Sequence, residues 1–496
     1  METTLALDPL LQQCELEELH RSGAIQSFGA LIRVDTETGL ITHVSANFTE
    51  FTGAALSALL GQPANAIPWF PIDALAALPK EPGKSLVPPG TIETPRQQLS
   101  GNLIRGDGFV LLELEPNGSH DRAIALQQYQ SPLLSVPYHD LEVMAHHDLL
   151  LRAFYSIAGF DRIMIYRFHD DWSGEVIAEK CEPSLGCYFG LRFPAGDIPA
   201  IARNLYMINP ARMIPDSREA AVGIVGIDAS PPDLTWSDLR SVSPIHLQYL
   251  ENMGVRASFS VPLRIAGRLW GLVACHHLTP KLLSRDQRNA CVCLTNAYAL
   301  GLTSHFASRR LQIFDSLERR IDGILELLSQ SPDPLDGVEK SSDRLMDVMS
   351  AQGLALAIDN DVVIAGTGPD LDGMAVIDDW FLNDCKDNIV ISDRLEDLFP
   401  GQIVVLVAAS GMVAIKARSL RSGWVRFYWF RPAEPQEVAW AGNPNKPVVE
   451  DAGVVVLSPR RSFERWIEVT SGTSRPWSFE ERMTAAKFRN TLLHWL

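Results

Sequence analysis

Arg192-Phe193-Pro194-Ala195-Gly196-Asp197-Ile198-Pro199 runs on through Ala200-Ile201-Ala202-Arg203-Asn204-Leu205-Tyr206. Pro194 and Pro199 each fix φ and remove an amide donor, so the stretch reads as a stiff turn rather than a helix interior or a central strand. Asp197 sits on that turn. Ile201, Leu205 and Tyr206 follow at helical spacing behind Pro199, which suits the start of a short amphipathic helix. Taken alone, the acid is most simply a helix cap that accepts from free amides. The alternative is a carboxylate held rigidly toward something else, and the rest of the chain decides between the two.

The turn lies in a chain of 496 residues, too many for one core and closer to about three domains. With 46% hydrophobic and 21% charged residues the composition is that of a globular protein, not a disordered one. The longest apolar run, near Ile403 to Ile415, contains Ser410 and Gly411 and falls short of the roughly 20 residues that span a bilayer. No basic segment precedes an apolar one at the N-terminus, so a cytoplasmic location without a membrane partner is expected. Sixty acidic against 43 basic residues give a net charge of -17 with no basic block, which argues against nucleic acid and anionic membranes. Seven irregularly spaced cysteines suggest reduced thiols. Cys291 and Cys293 face apart in a helical pattern and read as packing residues; no metal site is expected.

Ala30–Val34 and Leu40–Val44 alternate like strands around a Thr36–Gly39 turn, and Asn47–Gly53 opens a helical stretch. Tyr138–Ala158 reads as helix, Ile163–Phe168 and Gly174–Glu179 as adjacent strands, and Asp216–Thr235 as a long irregular loop. Gln287–Leu328 carries Leu311, Ile313, Phe314, Leu317, Ile321, Ile324 and Leu327 at threes and fours, the pattern of a long inter-domain helix or coiled coil. Leu354–Ile358 and Val404–Val407 read as strands, Trp424–Arg431 as an aromatic hairpin strand with arginines, and Arg482–Leu496 as a closing helix. The class is α+β.

Three further segments carry more. Asp238-Leu239-Arg240 leads to Ser243-Pro244-Ile245-His246-Leu247-Gln248-Tyr249 and Ala257-Ser258, and then comes Leu269-Trp270-Gly271-Leu272-Val273-Ala274-Cys275-His276-His277. With the Asp197 turn these resemble the chromophore-binding GAF domain of the bacteriophytochromes; the departure is Gly196 where that family has serine. Near the N-terminus, Cys14 with His20, Gly23, Ile25 and Gln26 falls on the family's biliverdin-attachment pattern, although Glu18, Ser22, Ser27 and Phe28 depart from it. Leu247 occupies the place of the alternative attachment cysteine of plant phytochromes, and Cys187 is kept as a minor second contact. Pro459-Arg460-Arg461-Ser462-Phe463, with Trp466 beyond, resembles the signature of the PHY "tongue" hairpin.

The resemblance implies three consecutive antiparallel-sheet domains: an N-terminal segment over residues 1–20, PAS over 21–128, GAF over 138–305, a spine helix over 306–330, and PHY over 331–496 with its tongue at about 431–480. It implies a figure-of-eight knot in which Ile25 threads the 216–235 loop. The implied cofactor is biliverdin IXα, a linear tetrapyrrole attached through Cys14. Around it the family places the Asp197 carbonyl and a water held by His246 at the ring nitrogens, with Ile198 among the cofactor-binding residues, and Tyr206, Arg212, Arg240, Ser243, Ser258 and Ser260 at the propionates. Tyr166, Phe193 and Tyr249 wall the terminal ring, whose carbonyl His276 meets.

Light-driven isomerisation would then exchange an Asp197–Arg460 ion pair for an Asp197–Ser462 hydrogen bond as the tongue refolds. The implied function is red/far-red photoreception. The implied partners are a second copy, as a homodimer along the spine, and a downstream output domain or response regulator. No kinase box or nucleotide loop is present, so the chain reads as a non-enzymatic input module, of which a histidine kinase would be the full-length parent. The competing class is a PAS-GAF sensor of a diffusible small ligand without pigment, against which the Cys14 and Arg460–Ser462 matches weigh.

Overall fold

The computed structural model describes residues 18–118, 123–419, 423–444, 449–451, 454–456 and 462–495. Alternating apolar residues near the N-terminus form an antiparallel sheet in the order Ala24–Ile25, Val222–Gly226, Ile41–Ser45, Ala30–Asp35, Phe109–Pro116, Gln98–Arg105 and Ser85–Leu86, with Ile92–Glu93 also on Gln98–Arg105. One face, with Ile32, Val34, Val44, Leu112 and Leu114, packs under Phe48, Leu59, Phe70 and Leu78. Strand Val222–Gly226 lies in the stretch that reads as irregular in the sequence. Its five residues include two glycines, too weak a pattern to mark a strand until Ile41–Ser45 offers its edge.

The same excursion grips the N-terminal segment from both sides. Ala24 and Ile25 pair with Gly223 and Val222 on one edge. On the other, the Gln26 amide donates to the Leu239 carbonyl at 2.7 Å and the Ser241 amide to the Ala24 carbonyl at 3.1 Å. Ile25 has no exposed surface and sits with Phe28, Leu31, Leu234 and Leu239. This is the arrangement that a threaded segment requires.

The second sheet runs Arg212–Ile214, Ala257–Ile265, Arg268–His277, Arg162–Phe168, Gly174–Cys181 and Arg192–Phe193, each pair antiparallel. At its edge Arg192 pairs in parallel with Trp440. One face is closed by helix Asp140–Ala158, through Leu150, Phe154 and Ile157, and by Leu294, Tyr298 and Leu302. The other face carries the helices Ala200–Ile208 and Pro244–Asn252, and this is where the Asp197 turn lies.

The third sheet has the order Asp361–Gly366, Gly353–Ile358, Gly423–Arg431, Gly411–Ser419 and Ile389–Ser392. Its central strand explains the aromatic run. Val425, Phe427 and Trp429 face Ile321, Ile324 and Phe488, whereas Tyr428 and Phe430 face Met374, Ile377 and Phe381. Val404–Val407 is not a strand: Ile403–Leu406 is a helical turn. A continuous apolar run has no period by which to separate the two, and here Val405 packs beside Phe399 while Ile403 is left exposed.

Arg285–Leu328 is one helix of 44 residues, about 66 Å long at about 1.5 Å per residue. The chain divides into two compact units, Met1–His305 with Ala439–Trp466, and Phe306–Val438 with Ile467–Leu496. The segment bearing Trp440, Ser462 and Phe463 therefore belongs with the first unit.

Candidate functional site

Phe193 pairs with Gly174, and the chain then turns through Ala195–Asp197 into helix Ala200–Ile208. Pro199 caps that helix without a side-chain bond, so the simple capping role does not fall to this residue. Tyr249 instead donates its hydroxyl to Asp197 Oδ2 at 3.0 Å. Arg203 braces the turn, donating to the Ile198 carbonyl at 2.6 Å while its guanidinium lies 4.6 Å from the Trp172 ring centroid. Gly196 does not take a positive φ, so the backbone places no demand for glycine there.

Strand register assembles the second group. Arg212 lies opposite Ser260, and Ser258 lies opposite His276 on the next strand. Tyr206 shares a 2.7 Å hydrogen bond with Ser260 Oγ. Arg212 donates to the carbonyls of Arg240 and Ser241, the latter at 2.9 Å, and Arg240 donates to the Thr235 carbonyl at 3.1 Å. Neither guanidinium has an ion-pair partner among the described residues, and Arg212 Nη1 and His276 Nδ1 are buried without any hydrogen-bond partner there.

Electrostatics show the tension in this arrangement. Burial pulls the Arg212 guanidinium down to about 10. Burial, and then the neighbouring Arg212 charge, pull Arg240 to about 9. Burial followed by nearby cations holds His246 at about 4 and His276 at about 3, so both imidazoles are neutral at physiological pH. Tyr206, Arg212, His246 and His276 are half-buried: each is crowded by protein but retains accessible surface.

Aromatic rings complete the walls. Tyr166 lies 5.9 Å from Phe193 by ring centroids, and a Cβ on Gly174 would meet its ring at 1.8 Å, so Gly174 is needed for that ring to lie where it does. Tyr249 stacks on His246 at 6.0 Å and meets Phe463 edge-on at 5.3 Å. Ile198 packs half-buried in the cluster around Tyr166 and Phe193. Ser243 precedes helix Pro244–Asn252, and its carbonyl accepts from the Leu247 amide.

Ser462 and Trp466 are half-buried, Trp466 in strand Arg465–Thr470. Cys14 and Arg460 lie outside the described residues. Cys187 is exposed, with its thiol 2.9 Å from Glu179 Oε2, a carboxylate that raises its pKa. It is therefore a poor nucleophile.

Sequence reasoning assigns no site role to Arg203, Tyr188 or Trp440, and takes Phe463 only as part of the tongue signature. The Arg162 guanidinium lies 3.7 Å from the Tyr188 ring centroid, and that of Arg192 lies 5.5 Å from Trp440. Only Phe463 carried a signal, by following Ser462 directly. Chemically, two crowded guanidiniums without an ion-pair partner among the described residues suit a ligand bearing two carboxylates, the unmet His276 nitrogen suits a polar atom on it, and the aromatic walls suit planar rings.

Comparison with known proteins agrees with this inventory. Residues 14–117 match a PAS fold, 148–300 a GAF domain and 317–496 the phytochrome region. The chain is 31% identical over 499 residues to cyanobacterial phytochrome B of Nostoc sp., covering 97% of itself and 66% of that relative. It is 30% identical over 509 residues to a bacteriophytochrome of Xanthomonas campestris, covering 95% of itself and 77% of that protein. The crystal structure of bacteriophytochrome RpBphP3 from R. palustris superposes with a TM-score of 0.83 at 30% identity, covering 98% and 99% of the two chains.

Proposed function

Because this chain belongs to the phytochrome family, as a PAS-GAF-PHY photosensory module, we propose that it is a red/far-red light receptor whose cleft takes biliverdin IXα. The observation that carries the proposal is the pair of enclosed guanidiniums, Arg212 and Arg240, without an acidic partner among the described residues. When bound, a linear tetrapyrrole supplies red absorption and a methine bridge that isomerises in light.

The chain's own residues would do the rest. Arg212 and Arg240 hold the two propionates, with Ser243, Ser258 and the Tyr206–Ser260 pair adding hydroxyls. His246, kept neutral by burial, is free to accept a ring N–H directly or through water. The Asp197 backbone carbonyl is a second acceptor, Ile198 lines the same turn, and His276 donates to the terminal-ring carbonyl. Tyr166, Phe193 and Tyr249 close the site to water, and Cys14 supplies the attachment sulfur.

Tyr249 touches both Asp197 and Phe463, so a shift of either aromatic ring or carboxylate is felt by the tongue segment. Exchange of Asp197 between Arg460 and Ser462 would bias the tongue between two folds. A second copy would dock along the spine helix, where Leu311 is 66% exposed. Signals would pass to an output domain or response regulator.

The test is the absorption spectrum of the protein mixed with biliverdin, in darkness and after red and far-red light. A reversible pair of bands supports the proposal; the absence of any new band overturns it. A Cys14→Ala protein that keeps pigment through denaturing electrophoresis would refute the attachment assignment alone.

A further inference from the structure

Glu113 lies on strand Phe109–Pro116 of the first sheet and has no exposed surface. Its Oε1 accepts from the Ser237 hydroxyl at 2.6 Å and from the Leu239 amide at 3.3 Å, both on the excursion that encircles Ile25. Its Oε2 is buried without a partner. A carboxylate in that setting has one oxygen stranded, whereas a carboxylic acid needs less solvation.

The charges around it come from three elements. On its own strand, Glu115 is negative but matched, accepting from Arg285 at 2.6 Å and from Arg288 at 2.8 Å. Those two arginines open the long helix and are paired with Glu115, and the Arg285 charge opposes, without overcoming, the rise at Glu113. On the encircling loop, Asp238 is a second acid bearing on Glu113, and burial together with Asp238 raises Glu113 to about 7. The Glu113 and Asp238 charges also act on Arg212.

We propose that Glu113 is a positioning residue for the anion cradle: as the neutral acid it ties down the Ser237–Leu239 stretch beside Arg240 and leaves Arg212 with less internal counter-charge, open to an incoming carboxylate. Ionised, it strands a charge beneath the loop and supplies Arg212 with an internal counter-charge that competes with the ligand. Glu113 itself lies on the first sheet and is not among the residues assigned to the ligand. This role rests on the pigment-binding function proposed above.

Two measurements separate the claims. In the pigment-free full chain, the thermal midpoint should fall as pH rises from about 5 through about 8, since the folded state prefers the neutral acid, and Glu113→Gln should flatten that slope. Biliverdin affinity, read by tryptophan quenching in a Cys14→Ala background, should drop roughly fivefold or more over the upper half of that range, at the lower end of ordinary site couplings. Glu113→Gln should bind with little pH dependence.

Ser237→Ala, a milder change that removes one donor to the ionised form, should move both midpoints to higher pH. Affinity that keeps its pH dependence in Glu113→Gln, or unshifted midpoints in Ser237→Ala, overturns the proposal while leaving pigment binding intact. No binding at any pH overturns the photoreceptor function and the cradle together, while the stability slope still reports the Glu113 proton.

Discussion

Replacing Arg212 by methionine should stabilise the empty protein and cripple the loaded one. The alkyl stem is kept, so packing changes little. Burial has lowered this guanidinium from its ordinary value to about 10, which corresponds to about 3 kcal/mol at about 1.4 kcal/mol per tenfold change in its acid constant. Against that, the Arg240 and Ser241 carbonyls lose a donor, at about 1 kcal/mol each. The balance is a gain of about 1 kcal/mol, or roughly 2 °C in thermal midpoint for a unit of this size. Removing one of two buried charges also relieves Arg240, whose own depression owes its second-largest part to Arg212. Biliverdin affinity should fall by about 2–5 kcal/mol, the usual loss when one partner of a buried charge pair is truncated. Differential scanning fluorimetry with and without biliverdin reads both quantities. An empty Arg212→Met protein that melts several degrees below the parent would refute the reasoning, because it would mean that the guanidinium is already compensated from within.

Three other outcomes follow from the geometry. Tyr249→Phe removes the 3.0 Å hydrogen bond to Asp197 and should change the dark reversion rate of the photoproduct at least severalfold, since a bond to a charged group is worth about 1.5–3 kcal/mol; an unchanged rate would detach Asp197 from the switch. Ile25→Ala, at a position with no exposed surface inside the encircling loop, should cost about 2–4 kcal/mol and lower the urea midpoint, and a loss below about 0.5 kcal/mol would contradict the threaded packing. His246 and His276 fold with values near 4 and 3 against an ordinary 6.5, so their contribution is complete above about 6.5 and is lost as pH falls toward 4. A His246→Gln protein should accordingly show a shallower acid limb in its thermal midpoint.

The elements legible in the sequence were those with a strong local cause. Pro194 and Pro199 announced the turn at Asp197, and apolar residues at threes and fours announced the 44-residue helix. Trp424–Arg431 was legible as strand but not as the centre of a two-faced sheet, because its partners Gly353–Ile358 and Gly411–Ser419 are set by long-range register. Val222–Gly226 and Ile403–Leu406 were misread for complementary reasons: one has too little apolar pattern, the other too much. At the site, Tyr206, Arg212, Arg240 and Ser260, which the family resemblance puts forward, are brought together by strand register and hydrogen bonds. The contacts of Phe463 and Trp440 escaped notice because their partners, Tyr249 and Arg192, are far away in sequence and only the folded segment joins them.

The double-edged grip on Ala24 and Ile25 also constrains how the molecule can be made. Gln26 donates its side-chain amide to the carbonyl of Met213, 187 residues later, so during synthesis the N-terminal strand must wait for most of the second sheet to leave the ribosome. Whichever comes first, strand or noose, one must then pass the other, and this search comes late and over a large loop. Once closed, the noose should work in reverse as a lock: the Gln26 amide is freed only when the Leu239 edge opens, and if that opening needs the noose to come apart its deuterium uptake should keep time with unfolding of the first unit.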